Sequence, residues 1–215
     1  MDFYLTSYHF GKAFNEFGKM APKNKKVAMI SNAVDCYSNK KRKKKSEKEI
    51  SKKLKSVGLI PEVLDLKDYF GKKKKLEKKL SEYGVFWVKG GNTFFLRKAM
   101  QLSGFDKIFP KLVKKKNLLY GGSSAGICVL CPDLFGLELV DSAKKKPYGK
   151  KIEWSGLNVI KYYIIPHYKS RHFESKRIDK VVNYYIKSKK MFKTLKDGET
   201  IIIKNGKEKI MWKLS

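Results

Sequence analysis

Asn117-Leu-Leu-Tyr-Gly-Gly-Ser-Ser124-Ala-Gly126 is the stretch that decides how this chain is read. Residues 117–120 have the apolar character of a buried strand, Gly121-Gly122 turn it, and residues 124–130 continue as a helix. Gly122-Ser123-Ser124-Ala125-Gly126 fits G-x-S-x-G. In such a strand-turn-helix elbow the serine hydroxyl stands clear of the sheet, and the N–H of the following residue, Ala125, becomes a donor for a developing oxyanion. Glycine on both sides allows the backbone segments to approach closely. Ser124 is favoured as nucleophile over its rival Ser123, whose frame would require glycine where Ala125 stands. The same turn also serves as an anion-binding or purely structural device, so the rest of the chain has to decide between these uses.

Two further turns bear on that choice. Val88-Lys-Gly-Gly-Asn-Thr-Phe94 is a second strand-to-helix turn, in which Gly91 offers another backbone N–H and Asn92 and Thr93 are candidate helix caps. Ile164-Ile-Pro-His167-Tyr168 places a histidine just after a buried strand, behind a proline that fixes its approach, a suitable position for a general base. His9 follows the first strand with no partner that the sequence names, and His172, in the polar stretch 169–174, reads as a surface residue. The acids between Ser124 and His167 are Asp133, Glu138, Asp141 and Glu153. Leu137-Glu-Leu-Val-Asp141 is the best candidate segment, being mostly apolar and holding two of them. Cys128-x-x-Cys131 taken alone suggests redox or zinc chemistry. With no second cysteine pair and no histidine nearby in sequence it reads as buried packing, and no metal or cofactor is expected.

The remaining pattern alternates short apolar runs with lysine-rich amphipathic stretches, which predicts an α/β fold. Strands are expected at 3–5, 27–30, 59–66, 85–88, 117–120 and 163–165. Helices are expected at 46–57, where Ile50, Leu54 and Val57 share a face, at 76–80, 93–101 and 124–130, and at 174–186, with Ile178, Val181, Val182 and Tyr185 inward. Residues 199–204 and 207–212 read as a β-hairpin closed by Asn205-Gly206, a pair suited to the positive φ angles of a type I′ turn. There is no internal repeat and no flexible linker, so residues 1–215 read as one domain.

Charge sets the remaining limits. The net charge is +30, yet of 50 basic residues only four are arginines: Arg42, Arg97, Arg171 and Arg177. Sequence-reading nucleic-acid proteins rely on arginine for bidentate contacts, and here lysine runs at 40–45, 72–75, 114–116, 144–146 and 189–190 spread along the whole chain. The reading is a lysine-loaded solvated surface, with non-specific polyanion attraction that salt screens. Three cysteines exclude a disulfide framework, no apolar run approaches the ~20 residues that span a bilayer, and the N-terminus lacks the pattern of a secretory leader. A cytoplasmic location without membrane association is expected.

Taken in order, G-G-N-T-F, G-x-S-A-G and P-H-Y resemble the peptidase E/cyanophycinase family of serine peptidases. Phe3-Tyr-Leu-Thr-Ser-Tyr8 resembles its first strand and loop, Met29-Ile-Ser-Asn-Ala33 its second strand, Glu138-Leu-Val-Asp141 its acidic segment, and Asp197-Gly198 with 200–203 and Asn205-Gly206 its closing hairpin. The resemblance implies a mainly parallel sheet flanked by helices, similar to class I glutamine amidotransferases. It implies Ser124 as nucleophile, His167 as base, Gly91 and Ala125 as oxyanion donors, and Asp141, or alternatively Glu138, as the third triad member. It further implies a short peptide substrate, with N-terminal aspartate as the expected preference and Asn92, Arg171 and Arg177 as candidate substrate contacts. Cyanophycinase activity fits a chain of this length less well. A monomer or a homodimer would suit this reading. An inactive relative acting as a binding protein, or a lysine-rich nucleic-acid binder, are the competing classes.

Overall fold

The apolar runs at 27–30 and 85–88 serve two cores at once. Val27, Met29, Val85 and Trp87 pack into one, and Ala28, Ile30, Phe86 and Val88 into the other. A strand covered on both faces needs apolar side chains at every position, because successive residues point to opposite sides. The computed structural model describes residues 1–144 and 146–212; Lys145, in the lysine run at 144–146, lies outside them. In chain order the elements are β1 (Asp2–Thr6), α1 (Phe14–Met20), β2 (Lys26–Ile30), α2 (Lys40–Lys55), β3 (Ile60–Val63), α3 (Lys73–Leu80), β4 (Val85–Val88), α4 (Thr93–Ser103), α5 (Phe105–Val113), β5 (Leu119–Ser123), α6 (Ala125–Cys128), β6 (Tyr163–Ile165), α7 (Ser175–Lys187), β7 (Phe192–Thr194), β8 (Thr200–Lys204) and β9 (Lys207–Met211).

Seven strands form the main sheet in the order β3-β2-β4-β5-β1-β8-β9. The first five are mutually parallel, and β8 and β9 run antiparallel to their neighbours. Phe14 and Phe17 of α1 and Ile50 and Leu54 of α2 cover the Trp87 face. Leu76 and Leu80 of α3, Phe94, Leu96 and Met100 of α4, Ile108 and Phe109 of α5, and Ile178 and Val181 of α7 belong to the opposite core. This is the α/β fold that the sequence pattern predicts, with the mainly parallel, helix-flanked sheet that the resemblance implies. The hairpin also stands: Lys204 pairs with Lys207, and Asn205 and Gly206 have φ of 52° and 76°.

Several expected elements have other limits, each for a physical reason. The strand expected at 59–66 is confined to β3, because the Asp65 carboxylate accepts the Lys67 N–H and starts a short 3-10 turn at Leu66–Tyr69. The helix expected from residue 46 begins at Lys40: Asn39 caps it by accepting the Arg42 N–H, so the lysine run forms its first turns. Conversely, the helix expected at 124–130 is the single α-turn α6. Helices α1 and α5 and strand β7 were not anticipated. β7 pairs in parallel with β6 in a separate two-stranded sheet.

The arrangement around β5 positions everything that follows. Val88 pairs with Gly122, Thr6 with Ser123, and Thr6 also with Thr200. Consequently the C-terminal ends of β4, β5 and β1 lie beside the N-terminal end of the antiparallel β8. In open α/β sheets ligands bind outside the carboxyl ends of the strands.

Close backbone contact makes the elbow possible. A Cβ placed on Gly126 would lie 2.2 Å from the Val88 carbonyl oxygen. Gly126→Ala is therefore expected to lower stability by ~1–3 kcal/mol, the usual cost of overpacking, seen as a lower urea midpoint. An unchanged midpoint would show that the elbow is less tightly held than this contact requires.

Candidate active site

Ser124 follows β5 directly and has φ 48° and ψ −116°, a conformation that non-glycine residues rarely adopt. Such strain costs on the order of 1–3 kcal/mol and persists only where neighbouring structure over-determines it. Here the neighbours are explicit. The Ser124 N–H donates to the Thr6 carbonyl (3.3 Å), and the Ser124 carbonyl accepts from Ile127 (2.8 Å) and Cys128 (3.1 Å). The Tyr120 hydroxyl donates to the Gly126 carbonyl at 2.6 Å.

His167 lies at the end of β6, behind Pro166, with φ 63° and only 2% of its surface exposed. Its Nε2 is 3.1 Å from Ser124 Oγ and its Nδ1 is 2.7 Å from Asp197 Oδ1. An acceptor at Nδ1 places the ring proton there and leaves Nε2 free to accept from the serine. Burial pushes the His167 pKa below its usual value, against the opposing pull of Asp197. Ser7, just after β1, ties these parts together: its hydroxyl accepts the His167 N–H (2.8 Å) and donates to Asp197 Oδ1 (2.8 Å). The Asp197 N–H donates to Ser170 Oγ at 2.8 Å. Ser123 instead receives the Gly90 N–H on its Oγ at 3.3 Å.

The acids favoured by the sequence lie elsewhere. Asp141 accepts the Thr93 N–H on Oδ2 at 2.7 Å, beside the start of α4, and burial pushes its carboxyl up to about 6. Glu138 accepts the Gly136 N–H at 2.7 Å, within its own 3-10 turn. Neither carboxylate is the partner of His167. That partner is Asp197, which follows the histidine in the chain and so fell outside the interval from 124 to 167. In sequence Asp197-Gly198 marks the entry to the hairpin and nothing more, and only the pairing of β8 with β1 brings the carboxylate to the histidine.

Asn92 is a cap: its side chain accepts the Phe94 and Phe95 N–H groups at 3.0 and 3.1 Å and donates to the Ser142 carbonyl at 3.0 Å. These bonds engage both ends of its amide in the cap, and Asn92 lies outside the lining of the cleft over Ser124, where the expected substrate contact would be made. Arg171 and Arg177 are exposed and lie outside the lining of the cleft over Ser124. Gly91 does line it, with φ 149° and a backbone so close to Ala33 that a Cβ would stand 2.6 Å from that carbonyl oxygen. Ala125 immediately follows the nucleophile candidate, at the start of α6. Cys128 and Cys131 are buried free thiols, and burial raises both pKa values, Cys131 to about 12.

The cleft has a volume of about 710 Å³. Ser124, His167, Gly90 and Gly91 line its inner part, Tyr8, Phe10 and Trp87 give apolar surface, and Arg42, Lys43, Lys45 and Lys89 bring positive charge. Burial and then the Arg42 charge push the Lys89 pKa below its usual value. His172, read as a surface residue, lines the cleft and stacks on His167, with ring centroids 3.8 Å apart and planes at 11°. Its pKa is pushed down to about 4, chiefly by burial and then by His167. Its 3.5 Å approach to Glu174 is therefore a contact of a neutral ring at neutral pH, not an ion pair. Among the described residues no helix is long and apolar enough to cross a membrane.

Comparison with known proteins places this chain in a family. The sequence profile of Peptidase family S51 matches residues 5–211. The uncharacterized peptidase Lmo0363 of Listeria monocytogenes is 31% identical over 164 residues, 76% of each chain. The uncharacterized peptidase PM1590 of Pasteurella multocida is 29% identical over 42% of each chain. A crystal structure of a Listeria monocytogenes EGD-e protein described as a candidate peptidase E superposes with a TM-score of 0.79 at 26% identity, covering 100% of this chain and 98% of that one. A peptidase from an acI-B1 actinobacterium shares the fold, with a TM-score of 0.70 at 12% identity over 99% of this chain and 87% of that one.

Asp197 and Asp141 are separable by mutation. Asp197→Asn is expected to leave the fold intact and reduce turnover by ~10⁴-fold, the size of effect produced when a triad histidine loses its oriented tautomer. Asp141→Ala is expected to lower stability by ~1–2 kcal/mol through loss of its bond to the Thr93 N–H, with turnover per folded molecule kept. Thermal melts and turnover on both proteins decide; the reverse pattern would return the acid's role to Asp141.

Proposed function

Because the chain belongs to peptidase family S51 and is a serine-type peptidase, we propose that it hydrolyses short peptides with an acidic N-terminal residue through Ser124, His167 and Asp197. The observation that carries this reading is the continuous hydrogen-bonded chain from Ser124 Oγ through His167 to Asp197, at 3.1 and 2.7 Å. His167 Nε2 takes the hydroxyl proton as Ser124 Oγ attacks the peptide carbonyl. Asp197 holds the ring in the competent tautomer and stabilises the imidazolium that forms. The N–H groups of Gly91 and Ala125 meet the oxyanion, each worth ~3 kcal/mol in the transition state. The imidazolium then protonates the leaving amine, and water reverses the sequence through the acyl-enzyme.

The acidic preference is supported by the lining of the cleft. Lys89 directly precedes the Gly90-Gly91 turn, and Arg42, Lys43 and Lys45 reach the same cleft from α2. Lys89 is a desolvated ammonium on which the Arg42 charge acts more strongly than that of Glu47, so a carboxylate bound in the cleft would add counter-charge there. This basic group replaces Arg171 and Arg177 as the expected reader of the substrate's side chain.

Two measurements test the proposal. With Asp-Leu, Ala-Leu and Lys-Leu as substrates, the wild type is expected to prefer Asp-Leu, and Ser124→Ala to lose ~10⁴-fold or more on every substrate cleaved. Equal rates on the three dipeptides would refute the acidic preference, and an active Ser124→Ala would refute the nucleophile. The pH profile follows from the His167 shift: the base must be neutral, and burial lowers its pKa. kcat/KM should therefore rise with pH through a midpoint below the ordinary histidine value of ~6.5. A midpoint above that value would contradict the assignment.

A further inference from the structure

His167, His172 and Glu174 each present one ligand atom to a common space at the cleft, and these atoms all lie within 4.8 Å of one another. We propose that this group is a zinc site that holds the peptidase inactive while Zn²⁺ is bound. Two imidazoles and one carboxylate are a donor set that Zn²⁺ accepts readily, whereas Mg²⁺ requires a shell of oxygen ligands. Zn²⁺ bonds of about 2.0–2.2 Å bring tetrahedral ligands to roughly 3.3 Å from one another, so the three groups must close in on the ion. Two groups have to move: the His172 ring, which now stacks flat on His167, and the Ser124 hydroxyl, which now lies 3.1 Å from His167 Nε2 where the ion would bind. His172 lies between exposed Arg171 and exposed Phe173 and lines the cleft, and turning its ring breaks the 3.3 Å bond in which its Nδ1 accepts the Glu174 N–H.

The consequence depends on which nitrogen of His167 binds. Nδ1 is held by Asp197, so Nε2 is the nitrogen left to the metal, the same atom that faces Ser124 Oγ at 3.1 Å. A lone pair donated to Zn²⁺ is not available to take the serine proton. The site therefore binds an ion in place of a catalytic step and uses two residues, His172 and Glu174, to which the proposed hydrolysis assigns no task.

The metal-binding part does not depend on the peptidase reading; the inhibitory part does. The test begins with titration of the purified protein by Zn²⁺ alone, followed by calorimetry, with Co²⁺ and its visible absorption as a spectroscopic substitute. The expected result is one saturable equivalent per chain, a Co²⁺ band characteristic of low coordination number, and no saturable binding of Mg²⁺. His172→Ala and Glu174→Gln should each weaken Zn²⁺ by more than the ~10–100-fold produced by loss of an outer-shell partner, with thermal melts confirming that both fold. Absence of saturable Zn²⁺ binding, or unchanged affinity in both variants, would overturn the site. The second arm is labelling of Ser124 by a fluorophosphonate, with each protein normalised to its own metal-free rate. Zn²⁺ should block labelling of the wild type, a chelator should restore it, and His172→Ala should be insensitive at the same Zn²⁺ concentration. Labelling undiminished while Zn²⁺ is bound would overturn the inhibitory role. Absence of labelling under metal-free conditions would count against the peptidase mechanism and leave the titration to judge the site.

Discussion

The pairing of β1 with β5 on one side and with β8 on the other is the constraint on which the site depends. Thr6 stands opposite Ser123 in the parallel pair and opposite Thr200 in the antiparallel one. A parallel strand brings its C-terminal end to this edge of the sheet, and an antiparallel strand brings its N-terminal end. The residue after β5 and the residues before β8 are thereby neighbours in space, although more than seventy positions separate Ser124 from Asp197 in the chain. Ser7, the residue after β1, sits between them, and its hydroxyl bridges the backbone of His167 and the carboxylate of Asp197. A shift of one residue in this register would turn the side chains of β8 to the other face and separate the acid from the base.

The second requirement is close approach. The elbow places Gly126 against the Val88 carbonyl, Gly122 against the Gly126 carbonyl, and Gly91 against the Ala33 carbonyl. Without side chains at Gly122 and Gly126 the ends of β4 and β5 come close, and Gly90 lies so near the elbow that a Cβ there would stand 3.0 Å from that of Ser124. Asn92 and Asp141 secure the helix that leaves the Gly91 turn, through the N–H groups of Phe94, Phe95 and Thr93. The acidic segment that the sequence offered for catalysis thus acts one step removed, by holding the start of α4 in place.

Local pattern made much of this legible. The apolar runs of β2 and β4, the glycine-framed serine, the histidine behind Pro166 and the Asn205-Gly206 turn each carry their structure in a few adjacent residues. Asp197 does not. It lies in the polar stretch Lys196-Asp-Gly-Glu199, and nothing nearby in sequence distinguishes it from a solvated turn until β8 is paired with β1. The basic lining of the cleft was hidden for a related reason. Arg42, Lys43 and Lys45 sit in a lysine run that looks like any other in this chain, and only the capping of α2 at Asn39 turns that run into a helix bordering the cleft. His172 was likewise unremarkable in sequence, because the stacking on His167 depends on a loop whose path no periodicity describes.

Asp197, not Asp141, holds the proton of His167 Nδ1, in a 2.7 Å hydrogen bond between a buried ring and a partly exposed carboxylate. Proton NMR of the folded protein in water measures this directly, since such a ring N–H is shielded from exchange and resonates far downfield of the amides. A downfield resonance is expected in the wild type, persisting in Asp141→Ala and absent from a folded Asp197→Ala. Persistence of the resonance in Asp197→Ala, or its loss in Asp141→Ala, would show that Asp197 is not the partner of the ring.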